Sequence, residues 1–175
     1  MNTRIPFEKH KHGSVLETPD GKVMVVFERV LAHPPEIVWQ ALTDPDKLHQ
    51  WFPGIQLVQQ QGGVFNIWFG GECEGPAHVS GIVEVYDPPN KLVMGSMCYE
   101  LEPISQGCLL RFTDILHFDG SRTKIHHALL VLPGWHSYLD NLEAQLDQQP
   151  ERFGAPEIDY RNIEVPGWSI LKTED

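Results

Sequence analysis

Basic residues are scarce in this chain. Thirteen Lys and Arg stand against 24 Asp and Glu, a formal net charge of −11. Phosphate recognition needs clustered cations, and the longest basic run is Lys9-His10-Lys11. Nucleic acid and anionic membrane surfaces are therefore excluded as partners. Cysteine is scarcer still. Cys73, Cys98 and Cys108 are an odd number at unrelated spacings with no C-x-x-C pair. Neither a zinc knuckle, a redox pair nor a disulfide framework is indicated, and a reducing cytoplasm is expected. Long apolar runs are missing too. No window approaches the eighteen residues of a membrane span, and the first twenty residues lack the apolar centre of a signal peptide.

Chemical motifs are equally sparse. There is no G-x-S-x-G and no glycine-rich loop opening a helix, so neither a serine nucleophile nor a phosphate cradle is expected. The nine histidines are scattered over separate elements. His126 and His127, read as part of a strand, would point to opposite faces, and His136 is expected on the polar side of the last helix. A metal needs three or four convergent ligands, so no metal and no cofactor is expected.

What is present is a regular alternation of strand and turn. "SVLETPDGKVMVVFERVL" reads as a hairpin, with Thr18-Pro19-Asp20-Gly21 at its turn and a strand over 22–31. "HPPEIVWQALTDPDKLHQWFPG" reads as two short helices. Pro34-Pro35 starts the first, Pro45 breaks it, and Asp44 caps the second. Strands follow at 55–59, 64–69, 77–86, 92–101 and 108–118, separated by Gly- and Pro-rich turns. A long helix is expected from about Pro133 to just before Pro150, with Trp135, Tyr138, Leu139, Leu142 and Leu146 on one stripe. The implied organisation is an extension with an extra strand at 1–21, one domain at 22–149 and a tail at 150–175. The tail mixes Pro, Gly and charge; it is read as an extension or as a packed arm, on this chain or on a partner subunit. Monomer and homodimer both stay open.

Three stretches carry a family resemblance. "FERVLAHPPEIVWQALTDPDKLHQWF", "GIVEVYDPPNKLV" and "LPGWHSYLDNLEAQL" resemble, in order, the family related to the C-terminal domain of the heat-shock-ninety ATPase activator. The resemblance runs over roughly 22–149. It implies the α+β helix-grip fold of the START-like (SRPBCC) superfamily: a curved antiparallel sheet of about six or seven strands around a long C-terminal helix. That superfamily holds carriers, polyketide cyclases and chaperone regulators, and fold alone does not choose among them.

Strand parity sorts the side chains. Val23, Val25, Phe27 and Leu31 share a face with Arg29; Leu110, Phe112, Leu116 and Phe118 share one with Asp114. Each apolar face thus carries one charge, of opposite sign. The resemblance makes these strands neighbours, so Arg29 and Asp114 are expected inside, either as a structural ion pair or as polar anchors for a ligand. Phe65, Val83, Val93, Met97, Tyr99 and Leu101 join the same interior, and Gly81 and Gly95 leave space or admit the helix. Trp135 and Tyr138 either fill the core or line an entrance. The leading expectation is a non-catalytic protein binding a small hydrophobic molecule. Arg29 and Asp114 would set its polarity, and Phe27, Phe65, Val83, Met97, Tyr99, Phe112, Trp135, Tyr138 and Leu139 would line it. The alternatives are a cyclase- or hydratase-type enzyme, with Arg29 and Asp114 as the ionisable groups, and a chaperone regulator acting through a protein partner.

Overall fold

The structure is a computed structural model; it describes residues 11–71, 73–118, 127–128 and 130–149, and the backbone alone of 124–126, 129 and 171–172. Strands β1 (Ser14–Glu17) and β2 (Val23–Leu31) form the expected hairpin, closed by Gly21 N–H to Thr18 O at 2.8 Å. Helices α1 (Pro35–Thr43) and α2 (Pro45–Trp51) follow. Pro35 sits in the first turn of α1, where its missing N–H costs nothing. The Asp44 side chain accepts from the N–H groups of Asp46 and Lys47 and so caps α2. Strands β3 (Ile55–Leu57), β4 (Val64–Ile67), β5 (Val79–Asp87), β6 (Lys91–Met94), β7 (Met97–Ile104) and β8 (Gly107–Leu116) form a meander, and α3 (Lys124–Leu146) comes last before a short β9 (Leu171–Lys172).

The sheet order is β3-β4-β5-β6-β7-β8-β2-β1-β9, antiparallel except for β9, which pairs parallel to β1. The two short helices therefore carry the chain from one side of the sheet to the far edge, and the meander brings it back to β2. The buried stripe of α3 is Ala128, Leu132, Trp135, Leu139, Leu142 and Leu146, all in one core cluster with Val25, Phe27, Leu110 and Phe112. This is the helix-grip arrangement.

Two expectations fail because packing overrides a local signal. Proline begins helices readily, yet Pro133 lies inside α3, which starts at Lys124. The apolar stripe extends upstream through Leu132 and Ala128, and their burial offsets an interior-proline cost of roughly 3 kcal/mol. His126 and His127 therefore lie on a helix and not on a strand. The stretch 92–101 is likewise not one strand but the hairpin β6–β7, turning at Gly95-Ser96 with Gly95 at φ +58°. The turn reverses parity: Leu92 and Met94 are buried, and Val93 is not on that face. The space at Gly81 and Gly95 is taken by the Phe65 ring rather than by the helix. A Cβ on Gly81 would lie 2.8 Å from Phe65 Cε1, and one on Gly95 3.3 Å from its Cζ.

Arg29 and Asp114 do face inward, but they do not pair. The β2–β8 register sets Val25 opposite Asp114 and Arg29 opposite Leu110. Four residues of strand, about 13 Å, separate the two charges. Arg29 reaches up to α3 instead. Its Nη1 donates to Asp140 Oδ1 at 2.9 Å and Glu143 Oε1 at 2.8 Å, and its Nη2 donates to His136 Nδ1 at 2.7 Å. His136 is therefore half-buried against Arg29 and the Phe27 ring, not on an open polar face. One turn on, His33 Nε2 meets Asp147 Oδ1 at 2.8 Å. On the outer face, Glu28 and Arg111 form their own cross-strand pair at 2.6 Å.

Replacing Arg29 by Met keeps the apolar stem and removes the charge, leaving Asp140 and Glu143 facing each other on one side of α3. Breaking a buried pair on one side costs on the order of 3 kcal/mol. A urea titration should show that loss; a change below about 1 kcal/mol would mean that α3 is held by its apolar stripe alone.

Candidate functional site

The cleft opens beside the N-terminal half of α3. It holds about 370 Å³ and is lined by Phe69, Ser96, Asp114, Ile115, Leu116, His117, His127, Leu130, Val131, Gly134, Trp135 and Tyr138. Four elements meet there. The end of β8 supplies Asp114 to Leu116, and His117 just after it. The β6–β7 turn supplies Ser96. α3 supplies one wall, and the loop after β4 supplies Phe69.

Asp114 lies at the base and is 9% exposed. Trp135 Nε1–H donates to its Oδ2 at 2.9 Å, and the Ser96 hydroxyl donates to it as well. Burial pushes the Asp114 carboxyl above its ordinary value, while those two donors, His117 and His127 pull the other way. No Lys or Arg side chain among the described residues lines the cleft or bridges to Asp114. The walls are mostly apolar, and Phe69, at 48%, Leu130, at 53%, and His117 stay open to solvent. Gly134 adds room, since a Cβ there would touch nothing within 4 Å.

The two large aromatics on α3, Trp135 and Tyr138, acquire a physical reason here. Trp135 is buried, with its ring against Phe112 at 4.4 Å and Phe52 at 5.9 Å. Its indole N–H still needs a partner, and Asp114 is that partner. Leucine would add apolar contact there but has no donor to hold the carboxylate. Tyr138 is half-buried, packs 4.1 Å from the Phe52 ring, and keeps one side on the cleft.

The structure divides the expected site residues into three groups. Asp114, Trp135 and Tyr138 come together in the cleft. Phe27, Phe65, Val83, Met97, Tyr99, Phe112 and Leu139 lie beneath it as packed core. Arg29 is engaged by α3, away from the cleft. Sequence reasoning missed Ser96 because the hairpin turn was read as strand, and Gly95-Ser96 was the available signal. His127, Leu130 and Val131 escape it because the proline signal starts the helix at Pro133. Phe69 was visible as an aromatic beside Gly70-Gly71, but nothing in one sequence says what it faces. Among the described residues no group of His, Cys, Asp and Glu converges as a metal site, and no helix is long and apolar enough to cross a membrane.

Residues 32–147 match the family model described as Activator of Hsp90 ATPase homolog 1-like protein. The chain belongs to that family. Solved structures agree at the level of the fold. CalU16 from Micromonospora echinospora is 22% identical with a TM-score of 0.58, covering 77% of this chain and 83% of its own. A conserved protein of unknown function from Enterococcus faecalis, EF2215, is 19% identical with a TM-score of 0.59, covering 85% and 84%. MLL2253 from Mesorhizobium loti is 24% identical with a TM-score of 0.54, covering 73% and 98%. Comparison with curated proteins gave no match. Membership of the Hsp90-activator-like family thus secures the helix-grip frame, and the chemistry has to be read from the cleft.

The Asp114 carboxyl binds its proton more tightly in the folded than in the unfolded chain. Its contribution to stability is therefore fully present below the ordinary value of 3.8 and is lost as pH rises through the folded value. Asp114→Asn keeps an oxygen for the Trp135 N–H but cannot ionise. Urea midpoints measured from pH 4 upward should show the Asn variant gaining on the parent as pH rises, then levelling off. A pH-independent difference would mean that burial does not perturb this carboxyl.

Proposed function

We propose that this chain is a non-catalytic binding protein for a small hydrophobic molecule, seated in the cleft between α3 and the end of β8. The carrying observation is the combination of an apolar cleft of about 370 Å³ with a buried carboxylate at its base, oriented by Trp135 and Ser96. Small-molecule sites have this form: mostly apolar walls, a volume of roughly 300–1,000 Å³ and a few placed polar groups. Phe69 and Leu130 expose large apolar area at its mouth, which a bound apolar molecule would cover. Asp114 takes the anchoring role on its own, because Arg29 is spent on α3.

One observation favours an acid–base enzyme as the second reading. Burial pushes the Asp114 carboxyl toward the range where it can hold a proton, and His117 and His127 line the same cleft. Against it, Trp135 and Ser96 both donate to Asp114 and hold it as a fixed anchor. Three free cysteines suit a reducing cytoplasm.

Gly134 gives a direct test, because a side chain there points into the cleft. Gly134→Ala should keep binding of the neutral dye N-phenyl-1-naphthylamine and raise stability by about 0.5–1 kcal/mol, the usual gain at a helical glycine. Gly134→Phe should fill the cleft and abolish saturable dye fluorescence while the urea transition stays cooperative. Dye binding unchanged in the Phe variant would remove the cleft from consideration.

A further inference from the structure

We infer that the cleft is built for an organic amine: a small molecule with one protonated nitrogen on an apolar body of about one ring, its ammonium group on Asp114 and its ring against Trp135, Tyr138 and Phe69. The inference rests on the ligand-binding reading above and names the class of ligand.

The two inward charges of the domain are treated differently. Arg29 is matched, with two carboxylates within 2.9 Å. Asp114 is held by hydrogen bonds from Trp135 and Ser96 but bridged to no Lys or Arg among the described residues. Two neutral donors stabilise an anion without cancelling its charge; among the described residues only His117 and His127 act on it as charges, and a buried carboxylate so weakly compensated is costly. A ligand that brought a cation would relieve that cost, whereas a carboxylate or phosphate ligand would compound it.

The groups facing Asp114 are consistent with that choice. Ser96 from the β6–β7 turn and Trp135 from α3 are neutral. Tyr99 from β7 is buried, and both burial and Asp114 itself push its phenol far up, so it stays neutral. Tyr138 is also held neutral by burial. His117 and His127 also line the cleft, and their charge acts on Asp114 in the same sense as an ammonium group would. The rings of Trp135, Tyr138 and Phe69 add faces that attract an ammonium group more than a hydroxyl. Phe69 and Leu130 are exposed on the same cleft, which leaves the apolar end of such a molecule toward the mouth.

The test compares two near-isosteric probes, 3-phenylpropylamine and 3-phenylpropan-1-ol, by titration calorimetry on the full chain and on Asp114→Asn and Gly134→Phe. The amine should bind the parent about ten-fold tighter or more, the usual worth of a charge-assisted contact. Asp114→Asn should bring the two probes level, and Gly134→Phe should lose both. Should Asp114→Asn fail to show a cooperative urea transition, the parent supplies the same answer. Its preference for the amine should fall as pH is lowered through the carboxylate range, with alcohol binding unchanged. Equal binding of both probes to the parent, abolished by Gly134→Phe, overturns the amine assignment and leaves the ligand reading in place. A preference that survives in a folded Asp114→Asn variant also overturns it, because attraction to the net charge of −11 would then explain the amine. Neither probe binding saturably overturns both readings.

Discussion

A guanidinium on the inner face of a sheet has to be neutralised there, and in this domain that requirement fixes α3. Arg29 projects from the middle of β2, and Asp140 and Glu143 descend from α3 to meet it. An apolar stripe of leucines tolerates sliding along a sheet, since one leucine contact resembles the next. A guanidinium fork between two carboxylates does not, because its hydrogen bonds demand a particular register. His136, drawn into the same cluster with its Nδ1 facing Arg29, adds a third point. The neighbouring His33–Asp147 contact continues the line toward the helix end.

With the C-terminal half of α3 so placed, Trp135 and the turns before it fall beside the end of β8. Trp135 then serves two neighbourhoods. Its ring completes an aromatic cluster with Phe52 and Phe112, and its N–H turns to Asp114. The cleft is what remains where small or half-exposed side chains, Gly134, Val131 and Leu130, follow on the same helix. Clamp and cleft thus divide the helix by charge: the arginine end meets two carboxylates within the protein, and the aspartate end is held by hydrogen bonds from Trp135 and Ser96.

Much of the frame was legible in the sequence because its signals are short-range. The Thr18–Gly21 turn, the Asp44 cap, the Pro35 helix start and the alternation along β2 and β8 each depend on residues a few positions apart. The failures have the same origin. Pro133 and Gly95 are both punctuation marks whose meaning is set by distant packing. Pro133 stays helical because Ala128 and Leu132 are buried by strands far away in the chain. Gly95 turns because β6 and β7 each find a partner. Misreading them hid Ser96, His127, Leu130 and Val131, and with them most of the cleft.

The sequence by itself determined which side chains face inward: period-two alternation put Arg29 and Asp114 on buried faces without any knowledge of their partners. It also indicated the succession of hairpin, two short helices, meander and long helix and, through three ordered motifs, the family. Only the tertiary structure decided what those two charges meet. Parity is a property of one strand, whereas pairing depends on the register between strands and on where a helix crosses them. A four-residue offset between β2 and β8 separates Arg29 from Asp114. That offset joins one to α3 as a structural clamp and leaves the other, under Trp135, at the base of a cleft.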